Sequence, residues 1–281
     1  MAGSKVTVGN VEIIEFLDAI MDFPFEGFFP SIPAEDFEPY RKAYPDSWAP
    51  DGRFRTYAQC FALRSEGHTI LIDTGVGPGP HDWLGGACGH LMAEMQSKGV
   101  RPDEVETVVF THLHGDHVGW NLSDGGAPKA TFAKARYLVP KADWELFTKP
   151  EMQQQAPHIE VAVKPLQGLG VMDLVSGERA LTGELTLVPT PGHTPGHMSV
   201  LVASAGERAM LTGDVAHHPA QLQEVDWCSA FDGDPEQARR TRRQVLDRLE
   251  KEGTLAAICY FPAPGFGRLV RLDGKRMWQV L

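Results

Sequence analysis

The sequence predicts an α/β protein in which two mixed β-sheets pack face to face and helices cover the outside. Short, β-branched apolar runs of the length of a buried strand occur in both halves of the 281-residue chain. Segments with helical start and stop signals lie between these runs. Because no internal repeat and no low-complexity linker interrupts the sequence, we interpret residues 1–281 as one layered (α+β) domain.

The N-terminal part combines strand patterns with one Phe- and Pro-rich segment. Residues 6–16 have the pattern of a strand or hairpin, and residues 57–64 and 68–73 form a second predicted hairpin around a Ser-Glu-Gly turn. Residues 17–56 lie between them. Proline fixes φ and lacks an N–H group, so we expect no regular helix or central strand in this segment. Its aromatic side chains fit two interpretations, a wall or lid of a pocket and an irregular N-terminal wrap.

The rest of the chain alternates predicted helices and strands. A helix is expected at about His90–Lys98, followed by a buried strand at Val105–Thr111. The clearest helix is Pro235–Glu252, with Asp234 as its N-cap and proline at its first position. Further strands are predicted at Ala135–Val139, Leu185–Val188, Ser199–Val202, Ala209–Thr212 and Leu255–Phe261.

The charge balance disfavours several classes of partner. The 37 acidic residues outnumber the 26 Lys and Arg residues, which gives a net charge of -11. Nucleic acids and anionic membrane surfaces require basic patches, so we expect neither partner. No apolar run approaches the roughly 18 residues that span a bilayer. The N-terminus lacks the apolar region of a signal peptide and the four cysteines form no CxxC pair, so we expect reduced thiols and a cytoplasmic location.

The densest group of possible metal ligands directly follows the predicted strand Val105–Thr111. Here the sequence is His112-Leu-His114-Gly-Asp116-His117. Residues two apart on an extended chain point the same way, so His112 and His114 can bind one ion together. The glycine between His114 and Asp116 permits a turn that directs Asp116 and His117 towards a neighbouring position. Imidazole and carboxylate donors in this combination suit Zn²⁺.

Two later strand ends add a histidine and a carboxylate. A rigid Pro- and Gly-rich turn presents His193, and another strand ends on Asp214, whose two oxygen atoms could bridge two ions. His197, in the same turn as His193, fits a structural role better than a ligand role. Each signal is weak alone, but together with the first motif they indicate a metal site.

These residues, with the turn that begins at Asp73, resemble the ordered motifs of the metallo-β-lactamase superfamily over Tyr57–Arg268. The residues after His117 and Asp214 are most similar to the branch of methyl parathion hydrolase and related lactonases and esterases. The resemblance implies an αββα sandwich, and it allows a homodimer. It also implies that Asp73 supports the ligands from behind without binding a metal itself. The implied ligand assignment is a first metal held by His112, His114 and His193, a second held by Asp116 and His117, and Asp214 bridging both.

Tyr260 departs from that family pattern, because it stands where the family has its last histidine ligand. We therefore expect up to two Zn²⁺ ions per chain, with Fe or Mn as alternative metals and a weakened second site. Tyr260 would lie near that site as a ligand or hydrogen-bond donor. The other possibilities are a second site that is often empty, and completion of that site by His217 or His218.

The resemblance implies a metal-dependent hydrolase that uses a metal-bound hydroxide to cleave an ester, lactone or phosphotriester bond. Asp116 or Asp214 would orient the nucleophile and relay a proton, and Tyr260 would donate a hydrogen bond to the developing oxyanion. His217 and His218 are candidates for the pocket or for a capped turn. The many Phe and Trp residues favour a small, fairly apolar substrate.

Two other functions are compatible with the same residues. One is an iron-dependent oxidoreductase on this fold, and the other is a metal-binding homologue whose activity is reduced by the change at Tyr260. A nuclease is disfavoured by the net negative charge. A β-lactamase is disfavoured by the missing export signal.

Overall fold

The computed structural model describes residues 4–123 and 127–281, and two seven-stranded mixed sheets dominate it. The first sheet has the spatial order β1-β2-β3-β4-β5-β8-β9, antiparallel up to β4 and parallel from β4 onwards. Its strands, with the small β6–β7 ribbon beside it, are β1 (Lys5–Val8), β2 (Val11–Phe23), β3 (Phe54–Ser65), β4 (His68–Ile72), β5 (Thr107–Val109), β6 (Leu122–Ser123), β7 (Lys129–Ala130), β8 (Arg136–Pro140) and β9 (Met172–Val175).

The second sheet follows the order of the chain and is antiparallel except between its fourth and fifth strands. Its strands are β10 (Arg179–Ala180), β11 (Leu185–Pro189), β12 (Met198–Ser204), β13 (Glu207–Leu211), β14 (Leu255–Ala257), β15 (Phe266–Leu272) and β16 (Lys275–Val280). The α-helices of the described residues are α1 (Phe25–Phe28), α2 (Ala34–Ala43), α3 (Leu91–Ser97), α4 (Lys141–Phe147), α5 (Lys164–Gly168) and α6 (Pro235–Glu252). Across the described residues, no helix is both long and apolar enough to cross a membrane.

Apolar side chains fill three layers, which give the αββα order. Between the two sheets, the rings of Phe61 and Phe266 lie 5.7 Å apart in the central layer. Leu91 of α3 belongs to the layer outside the first sheet, and Leu246 of α6 belongs to the layer outside the second. Each such buried side chain contributes about 1.5–3 kcal/mol through loss of apolar surface from water. The predicted pair of mixed sheets flanked by helices is therefore confirmed.

Most predicted elements are confirmed, with changes at their ends. Helix α6 has the predicted bounds, the Asp234 side chain accepts a hydrogen bond from the backbone of Gln237, and Gly253 ends the helix at φ 60°. The strand predicted at Leu255–Phe261 is shorter in the structure, where β14 ends at Ala257. Beyond it, the amide of Gln59 donates to the carbonyls of residues 259 and 261, which replaces sheet pairing there.

The expectation of an irregular segment at residues 17–56 was wrong. Strand β2 continues to Phe23 and is paired with β3 along this length, and α2 is a regular ten-residue helix that contains Pro39. Proline at that position removes one helical hydrogen bond but leaves the rest intact. The helix is held by its buried Phe37, which packs against Phe25 and Phe54. Burial of this aromatic cluster outweighs the local cost of the proline.

Asp18 connects the first sheet to the loops that carry the site. It is fully buried at a bulge in β2. Its carboxylate accepts hydrogen bonds from the backbone N–H groups of Val76, His90 and Leu91 at 2.6–2.8 Å. It also accepts one from the indole of Trp120 at 2.9 Å. The loop after β4, the start of α3 and the segment after the His112–His117 motif are thus fixed to one side chain.

Replacement of this carboxylate should destabilise the whole fold. In Asp18→Asn, two or more of the four donors, of which those of Val76 and Leu91 are buried, lose a good acceptor, so the free energy of unfolding should fall by about 2–4 kcal/mol. Urea unfolding followed by circular dichroism measures this. Asp22→Asn is the matched control on the same strand, because Asp22 pairs with Arg55 near the surface and should cost at most about 1 kcal/mol. Equal losses in both variants would contradict the role of Asp18.

Candidate metal centre

The predicted site residues meet at one edge of the paired sheets. The His112–His117 motif follows β5, and Asp214 follows β13. His193 lies in the turn between β11 and β12, and Tyr260 lies beyond β14. In the parallel pairs β4–β5 and β13–β14, the carboxyl ends of neighbouring strands reach the same edge, which brings residues far apart in sequence together.

Asp73 positions the first motif from the end of β4. It adopts φ 57°, a left-handed conformation that aspartate tolerates better than most residues. Its carboxylate accepts hydrogen bonds from the backbone and hydroxyl of Thr111, both at 2.7 Å, and from Nδ1 of His117 at 2.8 Å. This bond to Nδ1 orients the His117 ring so that Nε2 is the atom directed into the site.

Three imidazole nitrogens surround one oxygen of Asp214. The Nε2 atoms of His193, His217 and His112 lie 3.2, 3.6 and 3.7 Å from Asp214 Oδ2. Nδ1 of His114 lies 3.1 Å from His112 Nε2 and 3.0 Å from His193 Nε2. The structure therefore brings the predicted ligands of the first metal together, and it adds His217 to them.

Different groups lie around the other oxygen of Asp214. His117 Nε2 is 3.4 Å from Asp214 Oδ1, and the thiol of Cys259 donates to the same oxygen at 3.3 Å. Asp116 Oδ2 lies 3.6 Å from His117 Nε2 and accepts a short hydrogen bond from the Tyr260 hydroxyl. The residues predicted for the second position thus lie close together, and Tyr260 is hydrogen-bonded to one of their carboxylates.

Burial and charge determine the protonation of these groups. Burial lowers the pKa of His112 and His114 well below the ordinary value, so both rings are neutral and available as ligands. Burial also raises the pKa of Asp214, but the adjacent imidazoles outweigh it and hold that pKa well below its usual range. Burial, followed by the Asp116 carboxylate, raises the pKa of the Tyr260 phenol well above its usual value. The phenol therefore acts as a hydrogen-bond donor.

The donor set fits a divalent cation. His117 Nε2, Asp214 Oδ2 and both ring nitrogens of His217 are buried and have no hydrogen-bond partner among the described residues. The spacings of 3.0–3.7 Å among these donor atoms match the edges of a coordination polyhedron whose bonds are about 2.0–2.1 Å long. Three groups of residues can each hold an ion: His112, His114 and His193; His112, His117 and Asp214; His193, Asp214 and His217.

The two other candidate histidines have structural positions. His218 lies in the aromatic cluster, 4.9 Å from the Phe37 ring, and its Nδ1 caps the following turn by accepting from Ala220. His197 Nε2 accepts from the backbone N–H of Asp214 at 2.9 Å, which agrees with the predicted structural role. Burial lowers the pKa of His197 to about 3, which keeps this acceptor unprotonated.

The sequence analysis missed the residues that fix His193. Asp232 accepts from His193 Nδ1 at 2.9 Å and pairs with the fully buried Arg242 at 3.1 Å. Asp143 holds the backbone on both sides of the site, because it accepts from the N–H groups of Leu113 and Gly196. No local motif marks these residues, although Asp232 lies just before the predicted start of α6.

The comparison with known families agrees with this geometry. Residues 53–254, more than half of the chain, match the family described as the metallo-beta-lactamase superfamily. The chain belongs to this superfamily. The resemblance seen in the sequence motifs is thereby confirmed.

Several known proteins are similar to most of the chain. YobT of Bacillus subtilis (strain 168) is 27% identical over 231 residues, which covers 79% of this chain and 88% of that protein. The N-acyl homoserine lactonase AiiA of Bacillus thuringiensis subsp. kurstaki is 23% identical over 212 residues, with coverages of 69% and 76%. The crystal structure of the hydrolase AbOPH has a TM-score of 0.86 at 25% identity and covers 100% of this chain and 98% of its own. AidC, described as a dizinc quorum-quenching lactonase, has a TM-score of 0.80 at 20% identity, with coverages of 98% and 95%.

Asp232 should affect metal binding in this superfamily member without contacting the ion. In Asp232→Asn, the acceptor for His193 Nδ1 is weakened, so affinity for the first metal should fall by about 10–100-fold. Competition with a chromophoric chelator measures the dissociation constant. Asp226→Asn is the control, because Asp226 makes only exposed contacts, with Arg239 and Arg243. An unchanged dissociation constant in Asp232→Asn would rule out this positioning role.

Proposed function

We propose that the chain is a zinc-dependent dinuclear hydrolase that opens lactones or cleaves esters of small, largely apolar substrates. The observation that carries this proposal is the Asp214 carboxylate, with His112 and His193 on one oxygen and His117 on the other. A carboxylate with imidazole donors on both oxygens is suited to bridge two ions. Imidazole and carboxylate donors favour zinc, and Fe or Mn can use the same set.

Each ion position has its own supporting residues. His112, His114 and His193 would hold the first ion, Asp116 and His117 the second, and Asp214 both. When bound, divalent ions provide Lewis acidity and lower the pKa of a coordinated water. The protein fixes its rings through bonds at the opposite nitrogen, as Asp73 does for His117 and Asp232 for His193.

Asp116 is the candidate for proton transfer. Its side chain is 12% exposed at the open side of the site, whereas Asp214 is fully buried. Asp116 can accept a proton from the attacking water and deliver it to the leaving oxygen. Tyr260 orients this carboxylate, and once Asp116 has taken up a proton the phenol can donate instead to a developing oxyanion. Because Tyr260 uses one oxygen of Asp116, the second ion should be held less tightly than the first.

Aromatic side chains near the open side of the site support an apolar substrate. Phe28 packs 5.6 Å from the His217 ring, and Phe231, which is 45% exposed, packs 5.2 Å from Phe28. On another side of the site, the ring of Trp83 is 57% exposed and lies next to Gly115, 3.7 Å from the position that a Cβ atom on this glycine would occupy. An acyl chain or aryl group could bind against these surfaces. The similarity to AiiA, an N-acyl homoserine lactonase, supports the lactone class.

The proposal keeps the expectations of a cytoplasmic location and a homodimer, with a small molecule as substrate. The net charge of -11 speaks against nucleic acid and anionic membranes. An iron-dependent oxidoreductase and a metal-binding homologue of reduced activity are the alternatives, and the following assays separate them.

Activity should depend on metal and on acyl length. Zinc-loaded protein should hydrolyse N-acyl homoserine lactones and aryl esters, and chelation should abolish the activity. The value of kcat/KM should rise up to about fourfold per added methylene group, since each buried methylene contributes about 0.8 kcal/mol. A pH-stat assay over short- and long-chain substrates, with a phosphotriester for comparison, measures this. Full zinc loading without hydrolysis would indicate the reduced-activity homologue, and bound iron with oxygen consumption would indicate the oxidoreductase.

The second ion should respond to Tyr260. In Tyr260→His, an imidazole replaces the phenol that occupies Asp116, so affinity for the second ion should rise by at least about 10-fold. Zinc titration of the apoprotein with elemental analysis measures both binding steps. Tyr260→Phe is the matched control, because it releases Asp116 without adding a ligand and should give a smaller gain. Unchanged second-site affinity in both variants would show that Tyr260 does not limit this site.

A further inference from the structure

His217 is a buried imidazole with no hydrogen-bond partner for either ring nitrogen among the described residues. It is 1% exposed, and neither Nδ1 nor Nε2 makes a hydrogen bond. Leaving a buried polar group without a partner costs free energy, so such a group in a well-packed position indicates a missing ligand. The sequence motifs give this ring a place only as an alternative ligand of the second metal position.

The ring of His217 is held by contacts that leave its Nε2 atom free. Its backbone N–H donates to the side chain of Gln221 at 2.6 Å, and Gln221 donates in turn to the carbonyl of Trp227. The rings of Phe28 and Tyr260 pack against it with centroids 5.6 and 5.2 Å away. These contacts fix the orientation of the ring without using either nitrogen.

The Nε2 atom of His217 lies beside two of the proposed ligands of the first metal position, Asp214 and His193. It is 3.6 Å from Asp214 Oδ2, which is itself 3.2 Å from His193 Nε2. The donor atoms of His193, Asp214 and His217 all lie within 4.8 Å of one another. Zinc commonly binds four ligands and can expand to five, so this position can accept a further imidazole.

We propose that His217, through Nε2, is a fifth protein ligand of the ion held by His112, His114, His193 and Asp214. This inference rests on the metal centre of the proposed function, but not on its substrate. Compared with the ligand pattern that the family resemblance implies, the second position then has one imidazole fewer, because Tyr260 stands there, and the first position has one more. The two ions therefore bind in sequence, with the first much tighter than the second.

Metal binding by His217→Gln tests this inference without using activity. We expect affinity for the first zinc ion to fall by at least about 10-fold. In protein loaded with one zinc ion, X-ray absorption at the zinc edge should show outer-shell scattering from four imidazoles, and from three in the variant. With one cobalt ion in place of zinc, the visible absorption per ion should become stronger in the variant, because a lower coordination number intensifies these bands.

Matched variants separate coordination from folding and from contact with substrate. His218→Gln changes the neighbouring histidine, which lies in the aromatic cluster, and should leave affinity and scattering unchanged. Circular dichroism of each apoprotein verifies the fold, and if His217→Gln does not fold, His217→Asn and His217→Phe replace it. If His217→Gln binds the first ion with unchanged affinity and scattering but turns over substrate more slowly, His217 acts on the substrate and the inference is overturned. Wild-type protein that binds no divalent ion would overturn the proposed function as well.

Discussion

A carboxylate buried between two β-sheets is unstable unless positive or hydrogen-bond-donating groups surround it, and Asp214 meets this condition with groups from both halves of the chain. His112 and His117 approach it from the first sheet, and His193, His217 and Cys259 from the second. Its backbone N–H is bonded to His197. Neither sheet alone could hold this charge, so the position of Asp214 links the packing of the sheets to the presence of cations in the site.

The same constraint explains why two of the imidazoles, those of His117 and His193, have a buried carboxylate behind them. Asp73 fixes His117, and Asp232 fixes His193 while pairing with the buried Arg242. Asp18, farther from the ions, ties the loop that follows Asp73 to β2 and α3. These carboxylates convert flexible loops at the strand ends into supports with defined hydrogen bonds. Preorganisation of this kind keeps ligand atoms at fixed spacing before a metal binds.

The features that the sequence predicted well are those with a local signal. The alternating histidines at His112 and His114 and the caps of the helix Pro235–Glu252 depend on residues within a few positions of one another. Asp232 bonds to His193 across 39 positions, and Asp18 contacts Trp120 across 102, so no spacing rule could reveal them. The prediction for the Phe- and Pro-rich segment was wrong for a related reason. Its helix depends on tertiary contacts of Phe37, which override the local preference of Pro39.

The charge of the site supports a cation at the proposed second metal position, although Tyr260 stands where the family resemblance implies a histidine. Asp73, Asp116, Asp214 and Asp232 lie within hydrogen-bond or ion-pair distance of the ligand imidazoles, and Arg242 is the guanidinium that offsets them. One divalent ion would leave this buried cluster negative, which low-dielectric surroundings penalise. A second ion, or a proton on one of the imidazoles, removes that excess. The phenol of Tyr260 cannot do so, because as a neutral donor it shares a proton with Asp116 and adds no positive charge. In the proposed dinuclear centre, Tyr260 therefore alters the relative affinity of the two positions, while the carboxylates still favour a cation in each.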